Sequence, residues 1–253
     1  MKLRKTVYLF HRWLGLLVCL QLIAWSAGGL VFSVLDIRNV RGEQDVAAAV
    51  DSLPPLSSAA VAPADARRLA DDAGVAVDDL TMMTLRDRGL GARYELYDLT
   101  GHPVCAVDVI TGEVVTRIPR DEAARLALAD FTLDATVRST SLIEHEAAGE
   151  FRGKRTPAWR VDLDHPKEPH IYIDAVTGEV LARRNRIWRV FDFFWMLHIM
   201  DYKNRENFNH PVLAGFSSLA LMTGATGVWL WGWRARGWRR RRTARSGKVV
   251  LDG

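Results

Sequence analysis

Three of the seven histidines in this 253-residue chain sit against long uncharged stretches, and their placement is what most invites chemistry. His11 precedes the uncharged run 13–35. His198 ends the aromatic segment Phe191-Asp192-Phe193-Phe194-Trp195-Met196-Leu197, and His210 lies within a second uncharged run, 207–233. A neutral imidazole is a good axial ligand for haem iron, and two on one iron make the low-spin electron-transfer site. A polar ring at membrane depth is also costly without a partner, which is a reason to look for a role. Each histidine has a structural reading beside the chemical one. His11 neighbours Arg12 and Trp13, the company of an interfacial anchor, and His198 could simply pack. His210 reads as a first-turn residue behind an Asn209 N-cap. Both kinds of reading stay open here. His102, His145, His165 and His170 show no metal-ligand spacing. No nucleophile–base set, motif of paired carboxylates or phosphate loop is legible, so catalytic residues stay unassigned and no metal beyond haem iron is expected.

What must position these histidines is the pair of apolar runs. At ~1.5 Å rise per residue, either run spans the ~30 Å hydrocarbon layer as a helix. The overall mean hydropathy is near zero because an acidic, polar middle dilutes them. Lys2, Arg4, Lys5 and Arg12 precede the first run. Arg234, Arg236, Arg239, Arg240, Arg241, Arg242, Arg245 and Lys248 follow the second. These flanks hold 12 of the 34 basic residues and one acid, Asp252, leaving a net charge of −7 between them. The bias predicts both termini in the cytoplasm and the acidic middle outside. Basic tails beside apolar spans serve topology and anionic headgroups, so nucleic acid is not expected as a partner. The first run is longer than a usual signal-peptide core and is expected to stay as an anchor. Cys19 lies in that run and Cys105 in the middle, so they cannot pair within one chain.

The middle carries an internal repeat after a linker (43–63) rich in Ala, Ser, Pro and Val. Asp65-Ala66-Arg67-Arg68-Leu69-Ala70 matches Glu122-Ala123-Ala124-Arg125-Leu126-Ala127. Asp108-Val109-Ile110-Thr111-Gly112-Glu113-Val114 matches Asp174-Ala175-Val176-Thr177-Gly178-Glu179-Val180. The second copy holds extra residues between these motifs, expected at 146–156. Each copy reads as a helix followed by strands. Trp159, Val161 and Leu163 alternate with Arg160, Asp162 and Asp164. The Thr-Gly-Glu turns need positive φ at Gly112 and Gly178, and the preceding Asp can accept backbone N–H bonds. The predicted fold class is α+β, with two transmembrane helices flanking a pair of repeats in which a helix packs on antiparallel strands.

Several segments together resemble one family. They are His11-Arg12-Trp13-Leu14-Gly15-Leu16 followed by Trp25-Ser26-Ala27-Gly28-Gly29-Leu30, and the paired Asp-x-x-Thr-Gly-Glu-Val turns. Arg189-Val190-Phe191-Asp192 with Leu197-His198-Ile199-Met200-Asp201-Tyr202 and Thr226-Gly227-Val228-Trp229-Leu230-Trp231 before Arg234 complete the set. In order and spacing they resemble the PepSY-associated transmembrane helix family. The resemblance divides the chain into a basic end (1–12), a first span (13–35) and the linker (43–63). PepSY-like repeats (64–118 and 119–185), an interfacial helix (187–202), a second span (210–233) and a basic tail (234–253) follow. It implies a bacterial inner-membrane protein with its repeats in the periplasm. Larger relatives with four membrane helices include proteins that bind haem b through helix histidines and reduce ferric siderophores. Isolated PepSY domains are linked to peptidase inhibition or regulation. With two spans here, a four-helix haem core requires a homodimer. His11 would meet its symmetry mate near the inner face, and His198 or His210 its own near the outer face, because the two levels are ~30 Å apart. The stripe Gly15, Val18, Leu22, Ser26 and Gly29 on the His11 face would let a macrocycle or another helix approach. The expected function is haem b electron transfer across the membrane toward a ferric siderophore or other metal chelate. The alternatives are a membrane-tethered PepSY module for a periplasmic peptide, peptidase or transporter partner, and an accessory subunit of a transporter.

Overall fold

The computed structural model describes residues 2–47, 59–145 and 149–249, with side chains described for 5–47, 59–145 and 149–237. Linker residues 48–58, insertion residues 146–148 and the side chains of the basic tail beyond 237 lie outside that set. The chain divides into two units, Met1–Val34 with Asp192–Gly253, and Leu35–Phe191.

The first unit contains the two apolar helices. Helix α1 (Lys2–Val34) starts in the basic flank and runs through the first apolar stretch, while α6 (Pro211–Val249) continues past the second into the basic tail. Their apolar parts, Lys5–Val34 and Pro211–Gly237, are long enough to cross a bilayer. Leucines 16, 17, 20 and 30 and Trp231 point outward, as lipid-facing positions do. Close approach of the two helices uses small residues: the Cβ position of Gly15 lies 3.7 Å from the Thr223 methyl. Gly28 meets Phe194, whereas Gly29 meets nothing within 4 Å, so only part of the expected small-residue stripe is used.

The second unit opens with the short helix α2 (Ile37–Val40) and holds the repeat. In the first copy α3 (Pro63–Asp72) packs on a sheet of β1 (Leu80–Asp87), β2 (Ala92–Asp98), β3 (Pro103–Asp108) and β4 (Val114–Val115). In the second, α4 (Arg120–Asp130) packs on β5 (Thr136–Ile143), β6 (Ala158–Asp164), β7 (His170–Asp174) and β8 (Val180–Arg184). Both sheets are antiparallel meanders in sequence order. The matched alanines explain the shared geometry. Ala66 and Ala70 on α3, and Ala123 and Ala127 on α4, are wholly buried and let each helix lie close to its sheet. Tyr94, Leu96, Cys105 and Val107 complete one core, and Val161, Leu163, Ile171 and Ile173 the other.

The two Thr-Gly-Glu turns are built alike. Asp108 Oδ1 accepts from the N–H groups of Ile110 (2.9 Å) and Thr111 (2.8 Å), and Asp174 Oδ1 from those of Val176 (2.9 Å) and Thr177 (2.8 Å). Gly112 and Gly178 have φ of 73° and 79°, as expected for turn glycines. Their surroundings differ. Ile110 is 62% exposed, while its counterpart Val176 is 4% exposed. Each glycine meets a leucine of its own copy's helix, Leu69 or Leu126, but the second turn also has neighbours from the first copy: Leu90 lies 3.3 Å from the Cβ position of Gly178, and Arg88 stands 3.7 Å from Glu179. Arg88 also grips the buried Glu95 (2.6 Å), and Arg155 bonds both Asp174 and Glu179, so ion pairs line this join between the copies. The beginning of the linker is docked rather than free. Asp45 pairs with Lys167 at 2.7 Å, and Val46 bridges to Phe131. The second copy's extra residues lie between β5 and β6 and include a 3-10 turn, Gly149–Phe151.

Candidate functional site

His11 faces α6. Its Nδ1 lies 2.9 Å from the Thr226 hydroxyl, and that hydroxyl also reaches the Met222 carbonyl at 2.8 Å. A threonine hydroxyl has one proton, and in a helix it is directed to the carbonyl four residues back. The Thr226 oxygen then accepts from His11 Nδ1–H, which leaves Nε2 as the lone-pair nitrogen. The ring lies on Gly227, where an added Cβ would come within 3.1 Å of its Cε1. Nε2 has no hydrogen-bond partner among the described residues. An anchored Nδ1–H with an Nε2 free of hydrogen bonds is the arrangement of a metal-ligating imidazole, so His11 would suit haem iron.

His198 closes the helix α5 (Arg186–Ile199), whose last turns pack against α1. Its ring stands among Trp25 (6.3 Å between centroids), Phe32 (5.7 Å) and Trp195 (6.3 Å). Its backbone carbonyl accepts from Trp25 Nε1 at 2.9 Å, and the carbonyl of Leu197 accepts from Gln21 Nε2 at 2.8 Å. The end of a helix leaves carbonyls without partners, and beside an apolar span these must be satisfied by side chains. Gln21 and Trp25 do this from α1.

His210 completes the same set, its Nε2–H donating to the Ile199 carbonyl at 2.9 Å. Its Nδ1 lies 3.4 Å from the Leu213 amide, so His210 itself takes the capping position expected of Asn209. Both ring nitrogens are engaged. To bind iron, His210 would have to give up one of these bonds, which His11 and His198 need not do.

The structure places the His210 ring on the Ile199 carbonyl, next in sequence to His198, but brings neither histidine to His11. Trp25, which touches His198, is ~21 Å along α1 from His11. One iron cannot take both. Among the described residues no group of three or more His, Cys, Asp or Glu is placed to hold a metal ion.

Sequence reasoning missed the partners. Thr226 stands out in the apolar run only as a hydroxyl beside a glycine. Asp201, in the family-like segment after His198, has a local role: its carboxylate accepts from the backbone N–H groups of Lys203, Asn204, Glu206 and Asn207. Those bonds, led by Asn204, bring its pKa down to about 2. Asp192 forms a buried ion pair with Arg205, and Trp195 Nε1 donates to the Arg205 carbonyl at 3.1 Å, so the turn after α5 is tied to the helix.

The family model for the PepSY-associated TM region matches residues 8–252. Comparison with curated proteins and with solved structures returns no match. With its two apolar helices and its pair of helix-and-sheet repeats inside that match, the chain belongs to the PepSY-associated TM region family.

Proposed function

We propose that this membrane protein carries electrons across the bacterial inner membrane through haem b held between two copies of the chain, in support of ferric-siderophore or other metal-chelate reduction outside. The observation that carries the reading is His11, whose Nδ1 is held by Thr226 and whose Nε2 makes no hydrogen bond among the described residues. Bound haem supplies one-electron transfer. The chain's own residues prepare the ligands: Thr226 fixes the His11 tautomer, Gly227 leaves room for its ring, and Trp25, Phe32 and Trp195 surround His198. Because His11 and His198 occupy different levels, each would hold its haem together with the same histidine of a second copy of the chain. The charge bias supports cytoplasmic termini and a periplasmic repeat domain.

The test is a reduced-minus-oxidised spectrum of the protein purified in mild detergent from haem-replete cells. A b-type spectrum is expected, with roughly half the haem lost in His11→Ala, half in His198→Ala and little in His210→Ala. Wild-type protein without haem absorbance sinks the proposal.

A further inference from the structure

The extra residues of the second copy build a feature unrelated to the membrane helices. Phe151 is buried and stacks on Tyr172, with centroids 4.6 Å apart and planes 14° apart. This anchor aims the preceding Glu150 at the sheet face opposite α4. There Glu150 Oε1 accepts from Arg189 Nε at 2.6 Å, while Oε2 accepts from His170 Nδ1 at 2.7 Å and from the Tyr172 hydroxyl at 3.3 Å. Arg160 stands 3.2 Å from the His170 ring, and Arg184 donates to the Glu150 carbonyl at 2.8 Å. Asp162 and Glu168 offset part of this charge, Asp162 by pairing with Arg160 (2.7 Å) and Glu168 by standing 3.5 Å from Arg189. Three arginines against two carboxylates leave one positive charge for Glu150 to answer.

We propose that Arg189, His170 and Tyr172 form a binding site for a small carboxylate-bearing ligand, in which Glu150 is an internal, exchangeable occupant. The donors are shared between the two oxygens of one planar group, the engagement that guanidinium and imidazole N–H groups give a carboxylate. The Glu150 side chain is 24% exposed, so solvent reaches the site with Phe151 in place. Exchange requires only that Glu150 rotate away while a like group enters, and the net charge of the site is unchanged. Burial raises the Glu150 pKa, but hydrogen bonds from His170 and Arg189 outweigh it and bring it down to about 2, so the resident is an anion at neutral pH. The inference does not depend on haem.

The experiment is calorimetric titration of the full-length protein in detergent with acetate and with tricarballylate, using chloride at equal ionic strength as control and phosphate as a rival anion. Wild type is expected to show weak, saturable carboxylate binding. Glu150→Gln, which keeps the length but not the charge, should bind tricarballylate at least ~10-fold tighter, a gain of about 1.4 kcal/mol. Adding Arg189→Gln should remove that gain. Should Glu150→Gln prove too unstable to purify, Glu150→Asp, whose carboxylate reaches less far, should bind more tightly than wild type. The proposal is overturned by wild type without saturable binding, by a Glu150 variant no tighter than wild type, by a gain that survives Arg189→Gln, or by a preference for phosphate.

Discussion

Glu150 shows how a single carboxylate reports its surroundings. Its pKa is brought from the ordinary 4.5 to about 2 by His170 and Arg189, against the upward push of burial. The folded state therefore binds a proton less readily than the unfolded state. The resulting stability is fully present above pH ~4.5 and is lost as pH falls toward ~2. Acid titration of the melting temperature of the full chain in detergent should show this loss, of order 2 kcal/mol, and Glu150→Gln should flatten the slope over the same window. An equal slope in the variant would assign the acid sensitivity to other groups. The histidines teach a related lesson at this scale. Residue type and position marked His11, His198 and His210 alike, but their hydrogen bonds separate them: His11 has one anchored nitrogen, and His210 has both engaged.

Elements built from the same motif acquire different tasks. The Gly112 and Gly178 turns share their Asp and Thr hydrogen bonds, and each glycine meets a leucine of its own copy's helix, Leu69 or Leu126, yet only the second turn also meets Leu90 and Arg88 of the first copy. A Cβ at Gly178 would lie 2.9 Å from Leu126 Cδ1, while one at Gly74, with the same φ of 79°, would meet nothing within 4 Å. Gly74→Ala should cost only the left-handed backbone term, ~1 kcal/mol. Gly178→Ala adds crowding between α4 and the turn and should cost ~2–4 kcal/mol, read from denaturant unfolding midpoints. Equal losses would mean that Leu126 yields freely. Helix α5 makes a similar point, since its sequence predicts an interfacial helix, but its end depends on Gln21, Trp25 and His210, all distant in sequence or beyond a turn.

For the whole molecule, the charge at the two ends predicts the orientation proposed above, and that prediction is directly testable. In a cysteine-free background, a membrane-impermeant thiol reagent applied to intact spheroplasts should label Asp71→Cys and leave Lys5→Cys unlabelled until the membrane is opened; the reverse pattern would invert the topology. The two apolar helices, the repeat with its helix and strands, and its Asp-anchored turns were legible in the sequence because each depends on neighbours within a few residues. Periodicity, charge bias and turn chemistry are local, and local rules suffice for them. Which histidine nitrogens are occupied, which of two matched turns is more deeply buried, and where Glu150 finds Arg189, His170 and Tyr172 were decided only by tertiary structure. His11 and Thr226 are 215 residues apart, and no periodicity or spacing rule reaches so far. Such pairs form only when the packing of helices and sheets brings their backbones together, and hydrogen bonding then assigns each polar group its partner.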